Sequence, residues 1–545
     1  MNRLLVVLAA LGLALPSLAA SRQRYTIVTD GAPAAAASRI ATNAADKAEL
    51  RMRTFRNVNG FAASLTDEEA IALRATPGVT AVDPVVERHV TSLGKIKPNL
   101  ASFTKQVTPW GLPALHADQV WPVTKGEGIN VVVLDTGIDF NHPDLKAAYV
   151  GGYNVLDPAA PPMDDNFHGT HVAGTIAATN NAFGVVGIAP GVKLWGVKAL
   201  DTQGKGYDEG IAAGLDWIMS KAKEVGGRWV VNMSFGSGAE GGTLERKAAE
   251  KAIAQNIVLV AAAGNGGSFH LDFPGAYPGV IAVGAVGEDG KRADFSAYGG
   301  HMSIVAPGVS LPSTLPENYL EDSDITLGDQ VFHSRGTIGS PKTSLTGRLV
   351  YCNLGRPGEF PVTVQGNIAL IDRGDNAFRE KSRNAKEAGA AGVVIIDNVP
   401  EVGLKPFTLL PKGCPGPECG EDWNDYAFPL TVNVTYEDGV KLKALANRET
   451  TVAYEWVRYG PASGTSMASP HVASSAALLL ALDPTLVPSD LLKVLRNTAQ
   501  DTAEEGWDYE TGWGIVDALA AAQYVAPDKF NVPPPPGSRR RSSRP

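Results

Sequence analysis

The sequence predicts a doubly wound α/β fold around a mostly parallel sheet, and three observations carry that expectation. Short apolar runs at 131–134, 193–198, 229–233, 257–262 and 280–286 alternate with helical stretches. The run Val131-Val-Val-Leu134 ends in Asp135-Thr-Gly, so it reads as a buried strand delivering a carboxylate to its C-terminal end. At 545 residues the chain exceeds one core and should divide into several domains. In such a sheet a site forms where strands end, and Asp135 and Asn265 both emerge there.

Met1-Asn-Arg3, an apolar stretch from Leu4 to Leu15 and Pro16-Ser-Leu-Ala-Ala20 read as a signal peptide over residues 1–20. Cleavage after Ala19 or Ala20 and export to the extracellular medium are expected. No later segment reads as long and apolar enough for a membrane anchor. The net charge of −9 argues against a nucleic-acid partner. Residues 24–92 then form a small unit of their own. Strand 24–30, an Ala-rich helix 34–47, strand–turn–strand 55–65, a capped helix 67–74 and a closing strand 79–90 give a ferredoxin-like order.

The most chemical segment is Thr465-Ser466-Met-Ala-Ser-Pro-His471. Gly464 breaks the preceding structure, Thr465 suits an N-cap, and Ala468 to Leu482 reads as an apolar, buried helix. Ser466 therefore sits in a first helical turn, beside unpaired N–H groups that favour a developing oxyanion. His168-Gly-Thr-His171-Val-Ala-Gly174 opens another helix with small residues, leaving room for close backbone packing. Either His168 or His171 could face a site on the residues alone.

Val-Leu-Asp135-Thr-Gly-Ile-Asp, His168-Gly-Thr-His-Val-Ala-Gly-Thr and Gly-Thr-Ser466-Met-Ala-Ser-Pro-His resemble the subtilisin (subtilase) family of serine endopeptidases. Asn232-Met-Ser234, Ala263-Gly-Asn265, Val280 to Val286 and Ala306-Pro-Gly308 extend the match, which covers roughly residues 105–315 and 456–525. The resemblance implies a triad of Asp135, His168 and Ser466, in the chain order of that family. It selects His168 over His171, sets aside Ser463 and Ser469, and makes Asn265 an oxyanion donor beside the Ser466 N–H. Residues 24–92 resemble the propeptide of such enzymes, which assists folding and plugs the site. Self-cleavage is then expected between Val90 and Lys105.

The same resemblance implies a structural calcium site from Gln106, Asp144 and the loop Thr179, Asn181, Phe183 and Val185. Carboxylate, amide and carbonyl oxygens suit a hard cation. No catalytic cofactor is expected. Extended substrate would pair with backbone at Gly204, Gly206, Ser234, Phe235 and Gly236, which ignores side chains and implies broad specificity. Asp272 falls near the base of the first specificity pocket, where a carboxylate would favour basic residues.

Over a hundred residues separate Ala306-Pro-Gly-Val-Ser from Gly464-Thr-Ser. Within 320–455, Gly366 to Gly374, Ala391 to Asn398 and Leu430 to Tyr436 read as strands, and Phe378 to Ala388 and Asp438 to Ala446 as helices. Ile-Asp-Arg-Gly and Ala-Gly-Ala-Ala-Gly-Val-Val resemble the protease-associated (PA) domain, which gates or extends substrate access. Cys414 and Cys419 suit a small disulfide loop, leaving Cys352 odd, with other pairings open. Residues 526–545, with four prolines and an Arg cluster, form a tail expected to be disordered. Together these readings favour a monomeric, secreted, self-processing endopeptidase acting on proteins or peptides. The alternatives are a silent peptide-binding protein using the PA-like insertion, or a processing protease selecting basic residues.

Overall fold

Seven parallel strands form the central sheet, in the order Ile304–Pro307, Ile281–Val286, Val258–Ala262, Trp229–Met233, Asn130–Asp135, Lys193–Lys198 and Tyr149–Asn154. The computed structural model describes residues 21–41, 44–91, 103, 105–238, 241–409, 427–502 and 505–532. The predicted signal peptide, residues 92–102, the Cys414–Cys419 loop and residues 533–545 lie outside them.

Strand side chains alternate between faces, so strand Asn130–Asp135 feeds two cores. Val131 and Val133 join the core built with helices His168–Ala177 and Thr465–Leu482. Val132 and Leu134 join the opposite core, under helices Asp208–Val225 and Thr243–Ala254. The two edge strands had no sequence signal: one reads Tyr-Val-Gly-Gly-Tyr-Asn, and the other is four residues ending in Pro307.

In the N-terminal unit, Arg53–Thr54, Gly60–Leu65, Gln23–Thr29 and Val79–Pro84 make an antiparallel sheet in that order. Helix Asp67–Arg74 starts from a reciprocal cap between Thr66 and Glu69. The expected helix 34–47 is two pieces, Ala34–Ala37 and Ala44–Glu49, because bonding tightens to a three-residue spacing at Arg39 and Ile40. The expected closing strand 79–90 also divides. Pro84 has no N–H to continue the ladder, and Glu87–Val90 instead pairs with Lys205–Tyr207 and Phe235–Gly236 in a separate three-stranded sheet.

Strands Leu320–Leu327, Gln330–Gly336, Thr343–Tyr351, Ile368–Asp372, Gly392–Ile396, Leu430–Val434 and Glu449–Val457 close into a barrel in the insertion. Helices Phe378–Glu387 and Tyr436–Ala444 flank it. Cys352 is buried with a free thiol, which burial pushes up to about 12.

Helix Thr465–Leu482 is, by length and composition, able to cross a membrane, contrary to the sequence expectation, but it is the buried core helix of this fold. Its cap also differs from expectation. Gly464, at φ 149°, is the N-cap, and Thr465 is already helical.

Candidate active site

Asp135 ends strand Asn130–Asp135, and His168 begins helix His168–Ala177. Both are fully buried, with His168 Nδ1 2.7 Å from Asp135 Oδ1. The contact fixes the imidazole tautomer, leaving Nε2 as the free base nitrogen; Nε2 has no hydrogen-bond partner among the described residues. Close packing makes this approach feasible: a Cβ on Gly169 would fall 2.0 Å from the Gly137 carbonyl oxygen.

Ser466 lies in the first turn of the core helix. Pro470 cannot donate to the Ser466 carbonyl, and Ser234 Oγ does so instead at 2.8 Å. Ser234 is oriented by Asn232 Nδ2 at 2.8 Å, and Asn232 Oδ1 accepts from Ser469 Oγ at 2.7 Å. Asn265 sits beyond strand Val258–Ala262, where its Oδ1 accepts from Thr465 N and Thr465 Oγ1, both at 2.9 Å. That pair aims Asn265 Nδ2 at the carbonyl oxygen of Thr91, 2.6 Å away. The Ser466 N–H points at the same oxygen from 3.3 Å, while Ser466 Oγ lies 2.6 Å from Thr91 Oγ1.

Thr91 follows strand Glu87–Val90, which lies between Lys205–Tyr207 and Phe235–Gly236 as the centre of a three-stranded sheet. Val90 N donates to Gly204 O at 3.0 Å, and Thr91 N to Ser234 O at 3.4 Å. Gly204, Gly206, Ser234, Phe235 and Gly236 are thus brought together around one extended segment. Sequence reasoning missed Thr91, whose only signal was its place at the end of the N-terminal unit.

His171 faces away, its Nε2 3.1 Å from both Leu311 O and Gly460 O, and burial pushes its pKa down to about 3. Asp272 lies against Gly236 and Gly264, where an added Cβ would meet its side chain at 2.6 Å. Burial raises its carboxyl pKa, while His270, Arg88 and His89 oppose the rise.

Gln106, Asp144, Thr179, Asn181, Phe183 and Val185 gather in one loop system. Asn181 Nδ2 donates to Asp144 Oδ1 at 2.6 Å, Val185 N to Asp144 Oδ2 at 3.2 Å, and Gln106 Nε2 to Thr179 O at 3.0 Å. Phe183 N donates to Asn181 Oδ1 at 2.9 Å. Asp144 is fully buried, and its pKa is raised by desolvation. The loop carries one buried carboxylate with amide and carbonyl oxygens nearby, the oxygen types a hard cation takes, though it is N–H groups that face the Asp144 oxygens here.

A doubly wound sheet with an Asp–His pair and a helix-borne Ser at its strand ends has the layout of a serine hydrolase. The chain belongs to the subtilase family, which it matches over residues 126–337 and 425–514. Residues 345–442 match the PA domain, and residues 23–91 the peptidase inhibitor I9 family. Subtilisin DY of Bacillus licheniformis is 43% identical over 218 residues, covering 39% of this chain and 77% of that protein. Subtilisin NAT of Bacillus subtilis subsp. natto is 39% identical over 274 residues, or 48% of this chain, which spans 65% of that relative's length. Among solved structures, the psychrophilic subtilisin-like protease Apa1 of Pseudoalteromonas sp. AS-11 is 29% identical. That likeness covers 78% of this chain and 100% of that one, at a TM-score of 0.50. Fervidolysin of Fervidobacterium pennivorans shares the fold at a TM-score of 0.56 and 24% identity, covering 93% of this chain and 62% of that one.

Proposed function

We propose that this chain is a secreted serine endopeptidase that releases its own N-terminal unit by cutting after Thr91. The observation that carries this reading is the Thr91 carbonyl oxygen, held by Asn265 Nδ2 and the Ser466 N–H. Ser466 Oγ, whose hydroxyl donates to the Ser234 carbonyl at 2.7 Å while Thr91 is docked, turns its proton to His168 Nε2 and attacks the carbonyl carbon. Asp135 accepts from Nδ1–H throughout and stabilises the imidazolium. The tetrahedral oxyanion rests on the two N–H donors, which are already oriented and need no rearrangement. Its collapse breaks the C–N bond, and His168 protonates the leaving amine, giving an acyl-enzyme on Ser466. Water, deprotonated by His168, then hydrolyses that ester and frees Ser466. After release, the same channel accepts other extended chains through backbone pairing, with broad specificity at the first position, where the chain's own residue is a threonine. The position of Asp272 favours a second reading, in which basic residues are preferred there; equal cleavage of Phe and Arg peptides would exclude it.

Asp144, Gln106, Asn181 and the carbonyls of Thr179, Phe183 and Val185 are proposed to hold calcium, which would supply charge to stiffen the loop. The PA-like barrel is proposed to gate or extend access, and residues 1–20 to direct export. A fluorophosphonate reagent tests the activity. Modification confined to Ser466, with loss of casein hydrolysis, is expected. Labelling elsewhere, or unlabelled enzyme without hydrolysis, would contradict the reading.

A further inference from the structure

Arg88 lies three residues before Thr91 and is fully buried, an extreme position for a guanidinium. Its guanidinium meets Glu245 in a two-point contact, Nε to Oε1 at 3.2 Å and Nη2 to Oε2 at 2.5 Å. Nη1 donates to Ser237 Oγ at 2.9 Å and to the Glu87 carbonyl at 3.2 Å. Glu245 is itself fully buried in the first turn of helix Thr243–Ala254, where the positive helix end favours a carboxylate. Tyr277 donates its hydroxyl to Glu245 Oε2 at 2.7 Å. Asp208, also buried, starts helix Asp208–Val225 and accepts from Val86 N at 3.0 Å; its Oδ2 has no hydrogen-bond partner among the described residues.

The groups other than Val86, Glu87 and Arg88 come from the part of the chain that remains after release of the N-terminal unit. When the N-terminal unit departs, Glu245 loses its guanidinium and Asp208 loses the Val86 N–H, and a buried carboxylate without its cation is costly. A substrate arginine restores the contact. Lysine supplies one point charge instead of a planar fork, an aliphatic side chain supplies no charge, and a carboxylate adds repulsion.

We infer that Glu245 is a specificity-determining residue, and that the enzyme prefers substrates with arginine three residues before the one whose carbonyl is attacked. This inference rests on the endopeptidase reading above. The competing account is that the Arg88–Glu245 pair merely anchors the N-terminal unit, with no bearing on other substrates.

Enzyme matured from the full chain is assayed on quenched peptides Xaa-His-Val-Thr-Ser, with Arg, Lys, Leu or Glu as Xaa. Truncating one partner of a buried charge pair costs enough that kcat/KM for Arg should exceed that for Leu by roughly 30-fold or more. Lys should fall between them, and Glu last. In Glu245→Gln the Arg-to-Leu ratio should collapse to near unity. Because that variant could fail to mature, Arg88→Leu is followed in the otherwise native chain, where slower self-cleavage is expected. Equal wild-type rates on Arg and Leu peptides would overturn the inference while leaving the endopeptidase reading intact. An unchanged ratio in Glu245→Gln would overturn the residue assignment. Failure of the wild type to cut any peptide would remove the reading on which both rest.

Discussion

The Thr91 carbonyl oxygen accepts a 2.6 Å hydrogen bond from Asn265 Nδ2, joining the end of the N-terminal unit to the sheet's C-terminal edge. The same Asn265 holds Thr465 through its Oδ1, so one side chain both orients the Ser466 helix and meets the Thr91 carbonyl oxygen, where the proposed reaction would develop charge. Asn265→Asp keeps the acceptor and removes the donor. Turnover should fall roughly 10²–10³-fold while the fold is retained, as is usual for loss of an oxyanion donor. A kcat within a few-fold of wild type would contradict this role.

Backbone proximity beneath the Asp135–His168 pair gives a second expectation. Gly169→Ala would force its methyl into the Gly137 carbonyl. Overpacking of this kind costs about 1–3 kcal/mol and would also displace His168. Urea denaturation in a Ser466→Ala background measures the stability, and unchanged stability would contradict the packing described.

Three buried histidines set the acid limit. Burial pushes His142 down to about 4, His171 to about 3 and His471 to about 4. Each is neutral when folded, whereas its unfolded counterpart protonates near pH 6.5. The unfolded state therefore binds more protons below that pH. Their contribution is fully present above pH 6.5 and is lost as pH falls toward about 4, by up to roughly 1.4 kcal/mol per pH unit for each histidine. Unfolding free energies of Ser466→Ala at several pH values in that window check the slope. A flat profile would contradict neutral burial.

Calcium binding at Asp144 is tested by chelation. EDTA should lower the Tm of wild type, and Asp144→Asn should show a smaller calcium-dependent shift. Identical melting with and without chelator would remove the ion from the account.

Much of this was legible in the sequence because the informative segments are local. Val131-Val-Val-Leu134 before Asp135 announces a buried strand, and helix Asp67–Arg74 carries its own cap in Thr66 and Glu69. Illegible features depend on distant partners. Glycines in Tyr149–Asn154 hide an edge strand that exists only because Lys193–Lys198 pairs with it. The division at Pro84 follows from where Glu87–Val90 finds two open strand edges. Arg88 gains meaning only from Glu245, 157 residues away. His168 and His171 lie one helical turn apart, so only their surroundings distinguish the base from the packed residue.

Self-processing at Thr91 is tested most directly by intact mass and N-terminal sequencing of exported wild-type protein beside Ser466→Ala. The wild type should begin at Ser92, while the variant keeps the segment ending at Thr91. If both retain that segment, or both lose it at the same bond, Ser466 is not the residue that cuts.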